Sequence, residues 1–256
     1  MSGLLEGKRL VITGVITPRS IAYAVARAAQ REGAEIVLTA YGRPSLVRRL
    51  AEGLPQPAPV VDLDVTDEDH LATLADRLGE HTDRVDGVLH AIAYAPPSCL
   101  DKGFPHAPWP DVATAMHTSV YSLTALATAC RPLLREGSSI VGLGFDGSRT
   151  WPGYGWMGVA KAGLEACARY LARELGPERV RVNLVAAGPL RTLAAAHIDD
   201  NGPAFEAGWH ARSPLGWDPD DTGPVARTCL ALLSDWLPVT TGQIVHADGG
   251  RHMTGD

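Results

Sequence analysis

What the chain has little of narrows its class before any motif is considered. Four cysteines occur in 256 residues, at Cys99, Cys130, Cys167 and Cys229, and no two form a CxxC pair. That spacing argues against a disulfide framework or a zinc site and suits free thiols in a reducing compartment. The nine histidines include no HxxxH or HExxH spacing, so no metal site is expected. No apolar run reaches the roughly 18 residues of a membrane span. Met1 to Gly14 has no long apolar stretch behind its charges, so a signal peptide is not expected. Basic charge is in deficit, with 23 Lys and Arg against 29 Asp and Glu, a net charge of −6. Lys8-Arg9 and Arg48-Arg49 are the adjacent basic pairs of the first half and make no patch, which excludes a nucleic-acid partner. No GxSxG elbow occurs, leaving a hydrolase unsupported. A cytoplasmic protein with no membrane partner is the expectation.

What is present is an ordinary globular balance, 45% hydrophobic and 20% charged. Strand and helix signals alternate. Arg9 to Ile12 is a short apolar run ended by Thr13-Gly14, and Ser20 to Glu32 follows at helical spacing. Strands are expected at Glu35 to Ala40, Pro59 to Leu63, Asp86 to Ile92, Ser139 to Leu143, Arg181 to Ala186 and Gln243 to Ala247. Helices are expected at Pro44 to Gly53, Asp67 to Gly79, Asp111 to Leu134, Tyr154 to Leu175 and Thr222 to Leu233. Strands joined through helices need crossovers, which predicts an α/β fold. A Rossmann-type doubly wound parallel sheet of about seven strands, with helices on both faces, is the expectation. No linker divides the chain, so 1–256 reads as one domain. Two proline-rich irregular stretches, 93–110 and 188–221, follow the carboxyl ends of strands, where open α/β sheets bind ligands.

Three groups of residues carry chemistry. After the first strand, Gly14-x5-Ser20-x-Ala22 replaces a full GxGxxG; it suits a pyrophosphate at a helix N-terminus and equally a plain strand-to-helix turn. Asp64, in Leu63-Asp64-Val65, could accept a hydrogen bond from an adenine amino group or cap the helix that follows. Tyr154 and Lys161 lie seven apart on one predicted helix, hence on one face. A phenol there can polarise a carbonyl while the cation holds a ribose hydroxyl; a packed Tyr and a solvated Lys would give the same spacing.

Together with Asn183, Ala187-Gly188-Pro189 and Thr241-Gly242…Asp248-Gly249-Gly250, these residues resemble the short-chain dehydrogenase/reductases. The spacing Tyr154-x6-Lys161, with Gly158 where ordinary ketoreductases have the lysine, is similar to their divergent branch, the enoyl-acyl-carrier-protein reductases, the actinomycete members above all. The similarity runs nearly end to end, through Phe145-Asp146, Trp156-Met157, Arg191-Thr192-Leu193-Ala194 and Ala231 to Pro238.

The resemblance implies reduction of the trans-2 double bond of an enoyl thioester, carried on acyl-carrier protein or CoA, by NADH. It implies that Tyr154 donates to the thioester oxygen and that Lys161 holds the nicotinamide ribose. Gly14, Val15, Ser20 and Ile21 would line the pyrophosphate, Tyr41, Asp64 and Val65 the adenine, and Leu190 and Thr192 the nicotinamide. Ile92 and Ala93 would pack over the cofactor with Thr118 nearby, while Phe145 and Met157 shape the acyl pocket beside a substrate-loop region at about 189–221. A homotetramer is implied as well. Three departures stand out: Ala91 replaces the family's usual serine, Tyr41-Gly42-Arg43 carries no acid, which makes NADPH possible, and the substrate-loop region between Thr192 and Trp217 is shorter than in the mycobacterial members. The alternatives are a carbonyl reductase of a specialised pathway and a non-catalytic cofactor-binding homologue.

Overall fold

The computed structural model describes residues 3–193, 195 and 202–255. Seven strands form one sheet: β1 (Arg9–Ile12), β2 (Glu35–Ala40), β3 (Val60–Asp62), β4 (Val85–His90), β5 (Leu134–Gly144), β6 (Arg181–Ala187) and β7 (Ile244–Ala247). Their order is β3-β2-β1-β4-β5-β6-β7 and every pairing is parallel. The expected Rossmann-type sheet is therefore what the chain builds. Strand order reverses between β1 and β4, so the crevice outside their carboxyl ends is the place where such sheets take ligands.

The helices divide between the two faces. On one side α1 (Ile21–Arg31), α2 (Pro44–Glu52) and α9 (Gly223–Leu233) bury Val25, Ala29, Val47, Val225 and Leu230 against the sheet. On the other, α4 (Leu74–Gly79), α6 (Ser122–Cys130) and α7 (Gly155–Leu175) bury Leu74, Leu78, Leu123, Leu126, Leu164 and Ala168. Strands covered on both faces need no polar side, which is why they read as continuous apolar runs. Asn183, fully buried, joins the end of the chain to β6: its amide donates to the Thr240 carbonyl and its oxygen accepts from the Gln243 N–H.

Local departures from the expected elements have local causes. The segment Asp67 to Gly79 is two helices, α3 (Glu68–Ala72) and α4, broken at Thr73. The Thr73 hydroxyl donates to the Asp69 carbonyl at 2.8 Å, competing with the backbone for it. Asp67, not Asp64, caps α3 by accepting from the His70 N–H. The long helix expected at Asp111 to Leu134 is α5 (Trp109–Met116), a π-helical turn at His117–Tyr121, then α6 and a short 3-10 turn. Within the irregular stretch 188–221 lies a further helix, α8 (Pro203–Arg212). All four cysteines are free thiols.

Candidate active site

At the carboxyl ends of the strands a cavity of about 1490 Å³ runs from β2 across β1 and β4 to α7. Every cofactor, catalytic and pocket residue expected from the sequence lines it: Gly14, Val15, Ser20, Ile21, Tyr41, Asp64, Val65, Ile92, Ala93, Thr118, Phe145, Tyr154, Met157, Lys161, Leu190 and Thr192. Lying far apart in sequence, they meet because parallel strands bring all their carboxyl ends to one edge.

The β1–α1 loop is shaped by two small side chains and one missing one. Thr13 donates to the Leu89 carbonyl and accepts from the Ala91 N–H, pinning β1 to the exit of β4. Gly14, at φ +78°, lies so close that a Cβ there would sit 2.0 Å from the Ala91 oxygen. The Ser20 hydroxyl accepts from the Ile16 and Thr17 N–H groups, folding the loop back over itself. Helix α1 then opens at Ile21, and its first N–H groups have no carbonyl a turn earlier. No acid sits in that first turn, and Ile21 and Ala22 line the cavity, so the electrostatics favour an anion there.

Asp64 makes an Asx turn, with one oxygen accepting from both the N–H and the hydroxyl of Thr66. With Asp67 capping α3, Asp64 is left to the cavity, where it is the lining carboxylate. The end of β2 contributes Thr39 and the exposed ring of Tyr41. A glycine turn, an open helix N-terminus, a carboxylate and a flat ring, spread along one crevice, fit an adenine dinucleotide.

Across the crevice, Tyr154 caps α7 and Lys161 follows two turns later. The Lys161 ammonium donates to the Leu143 carbonyl at 3.3 Å, and burial lowers its pKa to about 8. It therefore keeps its proton at neutral pH. The Tyr154 ring stacks on Phe145 with centroids 4.6 Å apart and planes 19° from parallel. Thr118 reaches the cavity from the π-helical turn, an irregularity often found at functional sites. Its neighbour Ser119 accepts from the Tyr94 N–H and donates to the Tyr94 carbonyl, tying the loop after β4 to that turn.

Beneath this wall His90 is fully buried. Desolvation, and then the charge of Lys161, lower its pKa to about 3, so it is neutral. Ser122 donates its hydroxyl proton to the Thr118 carbonyl, so His90 Nε2 must be the donor in their 2.8 Å contact. Among the described residues no cluster of three His, Cys, Asp or Glu side chains is placed to hold a metal ion.

Residues 14–252 match the family model described as enoyl-(acyl carrier protein) reductase. The chain belongs to that family. It is 50% identical to the enoyl-[acyl-carrier-protein] reductase [NADH] of Mycolicibacterium smegmatis, over 98% of each chain. The Mycobacterium avium protein of the same description is 48% identical over 98% of each, and the Escherichia coli one 39% identical over 97% of this chain and 95% of the relative. No helix among the described residues is long and apolar enough to cross a membrane.

In this enoyl reductase chain several wall residues carried no sequence signal of their own. Tyr94, Ala95, Pro97 and Leu100 line the apolar end of the cavity, beside Leu193 of the Arg191-Thr192-Leu193-Ala194 match. Behind Phe145 stand Trp151 and Trp209, at centroid distances of 5.2 and 5.6 Å. Trp209 comes from α8, a turn after Phe205, and that i, i+4 aromatic pair was the available clue to a buried helix. Arg191 straps α8 in place through a two-pronged ion pair with Glu206 and a further contact to Asp220.

Proposed function

We propose that this chain is an enoyl-[acyl-carrier-protein] reductase that uses NADH to reduce the trans-2 double bond of an enoyl thioester in fatty acid or related acyl-chain biosynthesis. The observation that carries the reading is the joining of Tyr154, Lys161 and Phe145 to a dinucleotide-shaped crevice in one continuous cavity. A carbonyl reductase of the ordinary kind would need a lysine at Gly158, four residues after Tyr154.

The roles follow from chemistry and position. Bound NADH supplies the hydride, delivered to C3 of the enoyl group. Gly14, Val15, Ser20 and Ile21 hold the pyrophosphate against the open end of α1, Tyr41, Asp64 and Val65 hold the adenine, and Ile92, Ala93, Thr118, Leu190 and Thr192 enclose the rest. Lys161, charged at neutral pH, holds ribose hydroxyls and makes the nearby phenol a stronger donor. As C3 is reduced, negative charge collects on the thioester oxygen, and a hydrogen bond from Tyr154 is worth most at that moment. Phe145 and Met157 shape the acyl pocket, and the enolate left by hydride addition takes a proton from solvent at C2 to give the saturated thioester.

The substrate thioester is carried on acyl-carrier protein, with CoA accepted in its place. NADPH is accepted in part, because no acid stands at the end of β2 to repel a 2′-phosphate. The whole chain acts as one cofactor-binding and catalytic domain in a cytoplasmic homotetramer; of the expected substrate-loop region at about 189–221, residues 194 and 196–201 lie outside the described residues. The test is oxidation of NADH on addition of crotonyl-CoA. Turnover that tracks the thioester supports the reading; NADH binding without turnover on any enoyl thioester would leave only a cofactor-binding homologue.

A further inference from the structure

We infer that Arg191 is a positioning residue for this reaction: by gripping Glu206 of α8 and Asp220, it fixes the turn that presents Leu190 and Thr192 to the nicotinamide. The inference rests on the NADH-dependent reductase reading and adds to it a residue that acts through others.

The turn needs holding from outside. The ladder between β6 and β7 ends with Ala187 opposite Ala247, and the Gly188 N–H adds one more bond, to the Ala247 carbonyl. Pro189 then has no N–H to offer, and the chain leaves the sheet. The Thr192 N–H donates to the Leu190 carbonyl at 2.7 Å, closing a three-residue turn with Arg191 at its apex. Leu190 and Thr192, on either side of that apex, line the cavity; Arg191 does not. One hydrogen bond gives such a turn little stiffness of its own against the entropy of the free chain.

Its supports come from the segment 206–220. The Arg191 N–H donates to the Pro219 carbonyl at 2.9 Å, and the Trp217 indole N–H donates to the Pro189 carbonyl at 2.6 Å. The guanidinium places Nε 3.0 Å from both Glu206 oxygens, adds Nη2 to the same carboxylate, and turns Nη1 to Asp220. Asp220 is set in turn by its N–H donating to the Asp218 carboxylate. The Glu206 side chain is 13% exposed against 53% for Asp220, so the Glu206 arm is the less screened and should carry more of the grip. With Nε, Nη1 and Nη2 all engaged, and two carboxylates to one guanidinium, the cluster does not attract a phosphate. Its work is to hold the turn. Without Arg191, Glu206 and Asp220 would face each other as like charges, and the turn would lose its clasp.

The decisive contrast is Arg191→Gln against Glu206→Gln. The measurements are NADH KM and kcat with crotonyl-CoA, NADH affinity by fluorescence titration, and Tm. Both variants should raise the NADH KM by about threefold or more and change kcat less, because Leu190 and Thr192 hold NADH before and during hydride transfer alike. Arg191→Lys, a point charge that cannot span both carboxylates, should fall between wild type and Arg191→Gln. The double variant should be no worse than Arg191→Gln alone, since both substitutions remove one interaction. An NADH KM within about threefold of wild type in Arg191→Gln overturns the inference, and a lowered Tm beside it would make the cluster purely structural. A weakened Arg191→Gln beside an unaffected Glu206→Gln overturns it too, by making Arg191 a direct ligand of the cofactor. If the wild type reduces no enoyl thioester, the reductase reading fails on its own, and the titrated NADH affinities of the same variants still decide the role of Arg191.

Discussion

Around Gly14 the cavity is made of backbone and small side chains; around Phe145 it is made of rings. The first region is held by hydrogen bonds between neighbouring main chain and the hydroxyls of Thr13 and Ser20, and by an approach at Gly14 so close that an added Cβ would lie 2.0 Å from the Ala91 oxygen. The second is held by aromatic packing at 4.6–5.7 Å, with indole N–H groups tied to main-chain carbonyls. A pyrophosphate is the same in every substrate complex, so its seat can be rigid and steric. An acyl tail varies, and a wall of side chains can be reshaped by single substitutions without touching the sheet.

The largest effect should come from disturbing the first region. Gly14→Val puts a β-branched residue at φ +78° and drives its Cβ into the Ala91 carbonyl. NADH affinity by fluorescence titration should fall by on the order of 10²-fold or more, with a lower Tm. A variant that bound NADH normally would mean the loop does not seat the cofactor.

Tyr154→Phe tests the boundary between the regions. It keeps the ring on Phe145 and removes only the hydroxyl, so KM should change little while kcat falls by about 10²-fold or less. An equal rise in KM with kcat preserved would assign Tyr154 to ground-state binding instead.

Acidity gives the next effect. Burial sets the Lys161 pKa at about 8 in the folded protein, below its ordinary value of 10.5. The unfolded chain therefore binds more protons between those values, and stability without cofactor should rise with pH across that window. NADH affinity should fall over the same window, by up to about tenfold per pH unit if only the ammonium binds. Lys161→Met should flatten the stability profile; a wild type whose Tm is level from pH 8 to 10 would contradict the burial of that charge.

The smallest effect concerns the adenine side. Arg43 is exposed and follows a β2 end with no acid. Arg43→Ala should lower the NADPH to NADH ratio of kcat/KM by about three- to tenfold, through loss of one guanidinium–phosphate pair. An unchanged ratio would show that partial NADPH use owes nothing to Arg43.

The two regions also differ in how far the sequence disclosed them. Gly14, Ser20 and Ala22 could be read from spacing because the backbone itself restricts which residues fit a tight turn into a helix. Tyr154 and Lys161 were legible for a similar reason, since seven residues along a helix return to one face. Helix α8 was not. Its buried side is essentially Phe205 and Trp209, set among prolines, and those rings gain their meaning from Phe145 and Trp151, more than 50 residues earlier. The break at Thr73 was hidden because a threonine hydroxyl taking a carbonyl leaves the apolar periodicity intact. Asp64 stayed ambiguous for want of one fact, that Asp67 already caps α3.

The π-helical turn at His117–Tyr121 constrains the length of this part of the chain. Upstream of it Val112 and Ala115 point into the packing below the apolar end of the cavity, and downstream Leu123 and Leu126 point into the core under the sheet. The extra residue in the turn acts as a phase joint, letting the two halves of one helix face different cores. Deleting a single residue there would restore α-helical hydrogen bonding and turn one half by about 100° relative to the other. Either Val112 and Ala115 or Leu123 and Leu126 would then face water, and Ser119 would lose its hold on Tyr94. Loss of one residue between α5 and α6 is therefore expected to cost far more than the same deletion in a surface loop.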